Sequence, residues 1–253
     1  MNELVISFIL GAFLGSFFYT LSLRYIDGSI KQAPWKALMS RSKCPHCESN
    51  IHPLFLAPLL GFLLLRGKCK NCGKAISAVY PAVEIFSGAL FVLMAALLGF
   101  SPLTAAAFIL CEISLCISVI DLKLMIIPDS LVIAFLCVSL YPVAAGQSYS
   151  QNILGFASAA AFFLVIMIIF PGSFGGGDIK LAAAIGLYTG LPLVIVAVEG
   201  ALITGAITGA LLVLSSKKGI KSKIPFAPFL CAGLIIAILW GEKILLLYYN
   251  IMS

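Results

Sequence analysis

The sequence predicts an all-α polytopic membrane protein of about eight transmembrane helices, with a small cysteine-bearing loop domain. Three observations carry this. Hydrophobic residues make up 62% of the 253-residue chain and charged residues only 10%, with mean hydropathy +1.13, a composition suited to lipid rather than to a water-soluble core. Apolar runs long enough to cross about 30 Å of hydrocarbon recur from end to end. The longest polar interruption holds four of the eight cysteines, in two C-x-x-C pairs. Soluble enzymes, secreted disulfide scaffolds and disordered chains are excluded.

Taken in order, the first run, Leu4 to Leu23, has the length of a signal peptide but no basic n-region and no small-residue cleavage pattern before Arg24. It is predicted to be a retained span forming a first element, 1–23. The stretch 24–80 carries nine Lys and Arg against two acids, Asp27 and Glu48, a net of +7, whereas the remainder carries seven bases against eight acids. A basic stretch between apolar spans follows the positive-inside rule, so it reads as a cytoplasmic loop and not as a nucleic-acid surface. A membrane domain, 81–253, follows, with spans predicted near 82–99, 103–120, 130–145, 153–171, 180–197, 198–214 and 226–248. Parity puts 121–129, 172–180 and 215–224 on the side of the basic loop. These hold Lys123, Lys180, Lys217, Lys218, Lys221 and Lys223. The opposite connections, near Ser101-Pro102, Gly146 to Gln151 and Gly190 to Pro192, contain no Lys or Arg, so both termini are expected to face away from the cytoplasm.

Within the loop, Cys44-Pro-His-Cys47 and Cys69-Lys-Asn-Cys72 are separated by 21 residues. That spacing is close to a zinc ribbon, in which four thiolates enclose a tetrahedral ion and leave no open position. Redox chemistry and unmetallated packing are the alternatives. A structural metal is favoured because so short and polar a module needs one to fold, and a reducing compartment disfavours disulfides. His46 and His52 are expected at the surface. Cys111, Cys116, Cys137 and Cys231 are expected to be small buried apolar residues.

Ionisable groups in or beside spans are costly and each needs an account. Asp121 ends the third span, and Asp178 follows Phe174-Gly-Gly-Gly before the sixth. By topology both lie at one membrane face, as an aspartyl protease requires: two close carboxyls cannot both ionise, so one remains acid while the other activates water. The plainer reading is that each caps a helix or faces water. The three glycines allow close backbone approach, of a substrate strand or within a hinge. Lys123 and Lys180 each follow an aspartate by two positions, about 200° around a helix, and are expected to reach toward headgroups. Asp129, after Pro128, is expected to N-cap the fourth span. Glu84 is expected to be stabilised by a helix N-terminus, with a part in positioning substrate as the alternative. Glu112 and Glu199 lie deeper, without evident partners.

Over nearly the whole chain these residues resemble the bacterial type IV prepilin leader peptidases, membrane aspartyl proteases and N-methyltransferases. The resemblance rests on Gly15-Ser16-Phe17, Arg24, the four loop cysteines, Pro58-Leu-Leu60, Leu65-Arg-Gly-Lys-Cys69, Tyr80-Pro-Ala-Val-Glu84, Asp121, Ile127-Pro-Asp129 and Gly175-Gly-Gly-Asp178-Ile-Lys180. It implies catalytic roles for Asp121 and Asp178, and cleavage of a short basic leader from type IV prepilins or pseudopilins at the cytoplasmic face of the bacterial inner membrane. It further implies N-methylation of the new N-terminus by S-adenosylmethionine, for which no site is readable. The chain departs from the family pattern at Tyr19, Glu48, Pro53, Phe55, Leu56 and Val79, all in the first span and cysteine loop. The alternatives from other classes are a proton-coupled transporter using its intramembrane acids and an inactive zinc-dependent membrane adaptor.

Overall fold

A computed structural model describes residues 2–146, 148–215 and 224–252. The predicted loop segment 215–224, with Lys217, Lys218, Lys221 and Lys223, lies outside the described residues apart from its two ends. In chain order the helices are α1 (Asn2–Ile26), α2 (Ser29–Gln32), α3 (Pro34–Met39), α4 (Leu60–Leu64), α5 (Val79–Leu98), α6 (Pro102–Leu124), α7 (Asp129–Ser139), α8 (Tyr141–Ala144), α9 (Tyr149–Ile169), α10 (Gly176–Thr189), α11 (Leu193–Leu214) and α12 (Ala227–Met252). A 3-10 turn, Pro53–Leu56, precedes α4. The described residues contain no extended strands, only two isolated bridges within the cysteine loop.

Among the described residues, six helices (α1, α5, α6, α9, α11 and α12) are long and apolar enough to cross a membrane. The eight predicted spans resolve into these six plus two shorter apolar segments. The fourth, predicted at 130–145, is broken into α7 and α8. Pro142, at the start of α8, lacks the N–H that would continue the α7 ladder. The sixth and seventh, predicted at 180–197 and 198–214, are a 14-residue α10 and a 22-residue α11, because Gly190 to Pro192 interrupts the run. At 1.5 Å per residue, α10 is about 21 Å long and too short to span alone.

The chain forms two compact units, Met1–Ser101 and Pro102–Ser253. In the first, α1 packs along α5 through small residues: a Cβ on Gly11 would lie 2.7 Å from the Ser87 carbonyl oxygen and 2.9 Å from the Gly88 Cα. Only glycine lets the backbones approach so closely, and in lipid such contact replaces the hydrophobic drive. In the second unit α6 is the central helix, with Phe108, Leu110, Cys116, Ile117 and Ile120 fully buried. Around it α9 meets α10 where Gly155 and Gly186 face each other backbone to backbone. The other long helices expose leucine, isoleucine and phenylalanine along their outer sides. That inversion of the soluble pattern is what lipid as solvent permits.

Candidate active site and candidate metal centre

Asp121 lies in the last turn of α6 and is 6% exposed. Its Oδ2 accepts the backbone N–H of Ala227, the first residue of α12, at 3.1 Å, and the Phe226 N–H also donates to it. These are donors that a helix N-terminus leaves unsatisfied, so Asp121 caps α12 from another helix. Asp178, in the first turn of α10, caps its own helix: its Oδ2 accepts the Gly175 N–H at 2.8 Å. The capping role is therefore real for both acids, and it fixes where each carboxyl points.

Further contacts gather the segments around the two acids. The ring of Phe174, just before Gly175, meets the ring of Phe226, just before Ala227, edge to face at 4.7 Å. Phe163 of α9 packs on both, at 4.9 and 5.8 Å. Gly177 lies directly on Ile127, whose Cβ would be 2.8 Å from an added Cβ. Lys180 Nζ reaches Asp129 Oδ1 at 2.7 Å across α10 and α7. Both carboxyls therefore stand at the junction where the lead-ins to α10 and α12 pack together beside the end of α6.

The three glycines do different things. Gly177 is required by Ile127; Gly175 adjoins the Asp178 carboxylate; a side chain on Gly176 would meet nothing within 4 Å. None adopts a left-handed φ. Two expectations are corrected here. Asp129 is not the N-cap of α7, which is Pro128 without a side-chain cap; its carboxylate is turned outward to Lys180 instead. Lys180 in turn is held by Asp129, because a 200° offset from Asp178 directs it at α7.

Glu84 also departs from expectation. It lies beyond the first turn of α5 and is 6% exposed. Its Oε1 accepts the Ser16 hydroxyl of α1 at 2.8 Å, and its Oε2 the Leu59 N–H ahead of α4 at 2.8 Å. It is a bracket joining three segments, and Ser16, named above only as part of the first-span motif, is its hydroxyl partner. Glu199 has a partner after all, the Tyr248 hydroxyl at 2.8 Å. Glu112 is fully buried in α6. Cys111, Cys116 and Cys231 are buried, but Cys137 is exposed on α7, which turns that face outward.

The loop cysteines sit on two similar turns. Cys44 N–H donates to Ser49 O and Glu48 N–H to Cys44 O, while Cys69 N–H donates to Lys74 O and Gly73 N–H to Cys69 O. Bridges Lys43 to Asn50 and Lys68 to Ala75 close each turn. The four sulfurs all lie within 4.8 Å of one another, with Cys44 to Cys72 at 3.9 Å and Cys47 to Cys69 at 4.0 Å. A tetrahedral ion with Zn–S bonds of about 2.3 Å sets its sulfurs about 3.8 Å apart, so this donor set fits one. Backbone N–H groups of Cys72 and Asn71 lower the pKa of the Cys69 thiol, favouring there the thiolate that binds metal, while desolvation and the neighbouring sulfurs raise that of Cys72. His46 and His52 are exposed, as expected.

Fold and site together define an all-α multi-pass membrane protein with a four-thiol loop and two acids gathered from separate helices. The bacterial peptidase A24 N-terminal domain matches residues 9–98, and the type IV leader peptidase family matches residues 108–210. A prepilin leader peptidase/N-methyltransferase of Bacillus subtilis is 36% identical over 97% of this chain and 97% of its own length. Proteins of the same description from Aeromonas hydrophila (34% identical, 86% of this chain, 78% of the relative) and Legionella pneumophila (31%, 82% and 75%) are similar as well. No solved structure matches. The chain belongs to the type IV leader peptidase family.

Proposed function

We propose that this protein cleaves the leader peptide from type IV prepilins or pseudopilins at the cytoplasmic face of the inner membrane, with Asp121 and Asp178 as the catalytic pair, and methylates the new N-terminus. The observation that carries the catalytic assignment is that the segment after Asp121 and the start of α10, which bears Asp178, pack together, Gly177 on Ile127 and Phe174 on Phe226. In the cleavage step the ionised carboxylate takes a proton from water as the water oxygen bonds to the scissile carbonyl carbon. The protonated carboxyl donates to the carbonyl oxygen. Protonation of the amide nitrogen then lets the C–N bond break, giving a carboxylic acid and a free amine. The open space over Gly176, next to Asp178, is room for a substrate backbone.

Zinc held by Cys44, Cys47, Cys69 and Cys72 folds the loop and does no chemistry, since four thiolates leave it no open position. The methyl donor is S-adenosylmethionine. A groove of about 350 Å³ between α7, α9 and α10 offers such a molecule only Asp129 and Lys180 as charged groups, and these pair with each other. The basic character of 24–80 supports the cytoplasmic placement of the loop. A proton-relaying transporter would carry its acids near the membrane midplane, whereas Asp121 and Asp178 stand at helix ends.

The test is reconstitution of the purified protein in proteoliposomes with a prepilin-type precursor and S-adenosylmethionine. The expected product starts at the hydrophobic segment and carries the mass of one added methyl group. An intact precursor after prolonged incubation with protein of verified fold would contradict the proposal.

A further inference from the structure

The loop between α1 and α5 reads from charge as wholly aqueous, yet its middle is not. From residue 49 to residue 65 the chain carries no Lys, Arg, Asp or Glu. Within that run Leu54, Leu60, Leu63 and Leu64 are each more than 60% exposed. Four leucines standing in water on so small a module call for a covering surface.

The position of this segment along α1 says what covers it. Arg24, in the last turn of α1, donates to the carbonyls of Ala37, Leu38 and Ser40 at 2.6 to 3.2 Å, marking the level at which the chain leaves the span. Leu59 is tied elsewhere: its N–H donates to Glu84, which also accepts the Ser16 hydroxyl of α1. Ser16 precedes Arg24 by eight residues, about 12 Å further into the membrane at 1.5 Å per residue. The start of α4 is therefore anchored well inside the level of Arg24.

We infer that Pro53–Leu64 is a re-entrant segment, inserted beside α1 and α5 into the leaflet on the Arg24 side, with Leu60, Leu63 and Leu64 among lipid acyl chains. The backbone is prepared for this. The Leu59 N–H, which no helix carbonyl could take, is held by Glu84, and the N–H groups of Leu60, Gly61, Leu63 and Leu65 meet the carbonyls of Pro58, Ala57, Leu59 and Gly61 at 2.6 to 3.1 Å. A short non-spanning segment persists in lipid only when such groups are satisfied. Arg66, Lys68 and Lys70 then return the chain to the headgroups, where basic side chains are favoured. The cysteine turns on either side of the segment are thereby seated on the bilayer surface.

The wild-type protein tests this in nanodiscs containing a phospholipid with a diazirine late in its acyl chain. After photolysis, peptides covering 54–65 should carry lipid adducts, as should peptides from α5, while the turn 41–50 should not. In parallel, Leu63→Trp in a Trp35→Phe/Trp240→Phe background should give blue-shifted emission quenched by acyl-brominated lipid. Adducts on α5 with none on 54–65 would overturn the inference. So would a Trp at 63 that responds to aqueous acrylamide and not to brominated lipid. Neither readout involves proteolysis, so both stand apart from the proposed activity.

Discussion

Replacing Gly177 by alanine probes how closely the spacing of the two aspartates is set. The added Cβ would stand 2.8 Å from Ile127 Cβ, against an optimal carbon separation of about 3.5 to 4.0 Å, so about 1 Å must be taken up somewhere. Ile127 belongs to the short connection between α6, which carries Asp121, and α7, so the strain falls on the link between the two carboxyls. Overpacking of this size costs about 1–3 kcal/mol of stability. For reaction geometry a shift of about 1 Å costs on the order of 100-fold in rate. The assay is the initial rate of precursor cleavage, with thermal unfolding of the same preparation. Gly176→Ala is the control, because its methyl meets nothing in the structure and alanine is favoured over glycine within helices by about 0.8–1.0 kcal/mol. It should fold at least as well as wild type, and any loss of cleavage reports on substrate. Wild-type cleavage by Gly177→Ala would refute the view that this contact sets the aspartates.

Three further outcomes are expected. Glu48 has φ +54° where the matching position of the second turn is Gly73 at +69°, so Glu48→Gly should relieve left-handed strain of about 1 kcal/mol and let the loop retain zinc to higher chelator concentration. Elemental analysis should find about one zinc per chain, reduced by Cys72→Ser together with faster proteolysis of the loop; metal-free protein prepared without chelators would contradict the assignment. Asp129→Asn should lower the cleavage rate only a few-fold, since the Asp129 to Lys180 pair is exposed and worth at most about 1 kcal/mol; abolished cleavage would mean that Asp129 takes part directly.

The helical membrane class was legible because a long apolar run has one stable form in lipid, and the cysteine cluster because its spacing admits few geometries. The short helices were harder. The run from Asp178 to Leu214 is apolar almost throughout, and only Gly190 and Pro192 mark where α10 gives way to α11. Periodicity does not show that a helix stops at 14 residues. The tertiary brackets were invisible for another reason: Ser16 to Glu84 and Ala227 to Asp121 join residues 68 and 106 positions apart, and no local pattern encodes such pairs. Glu48 was different, since its left-handed φ, matched by Gly73 in the second turn, is a property that only the folded turn reveals.

The most direct measurement is the rate of precursor cleavage by Asp121→Asn, Asp178→Asn and the double variant, each at wild-type abundance in the membrane. Amides keep the hydrogen-bond acceptor that Ala227 and Gly175 use while removing either the proton or the base. If the two carboxyls act as one dyad, each single variant loses cleavage as completely as the double variant does, the non-additivity of groups that work as a unit. Measurable turnover in either single variant, with further loss in the double, would show that the acids act separately and would contradict the dyad.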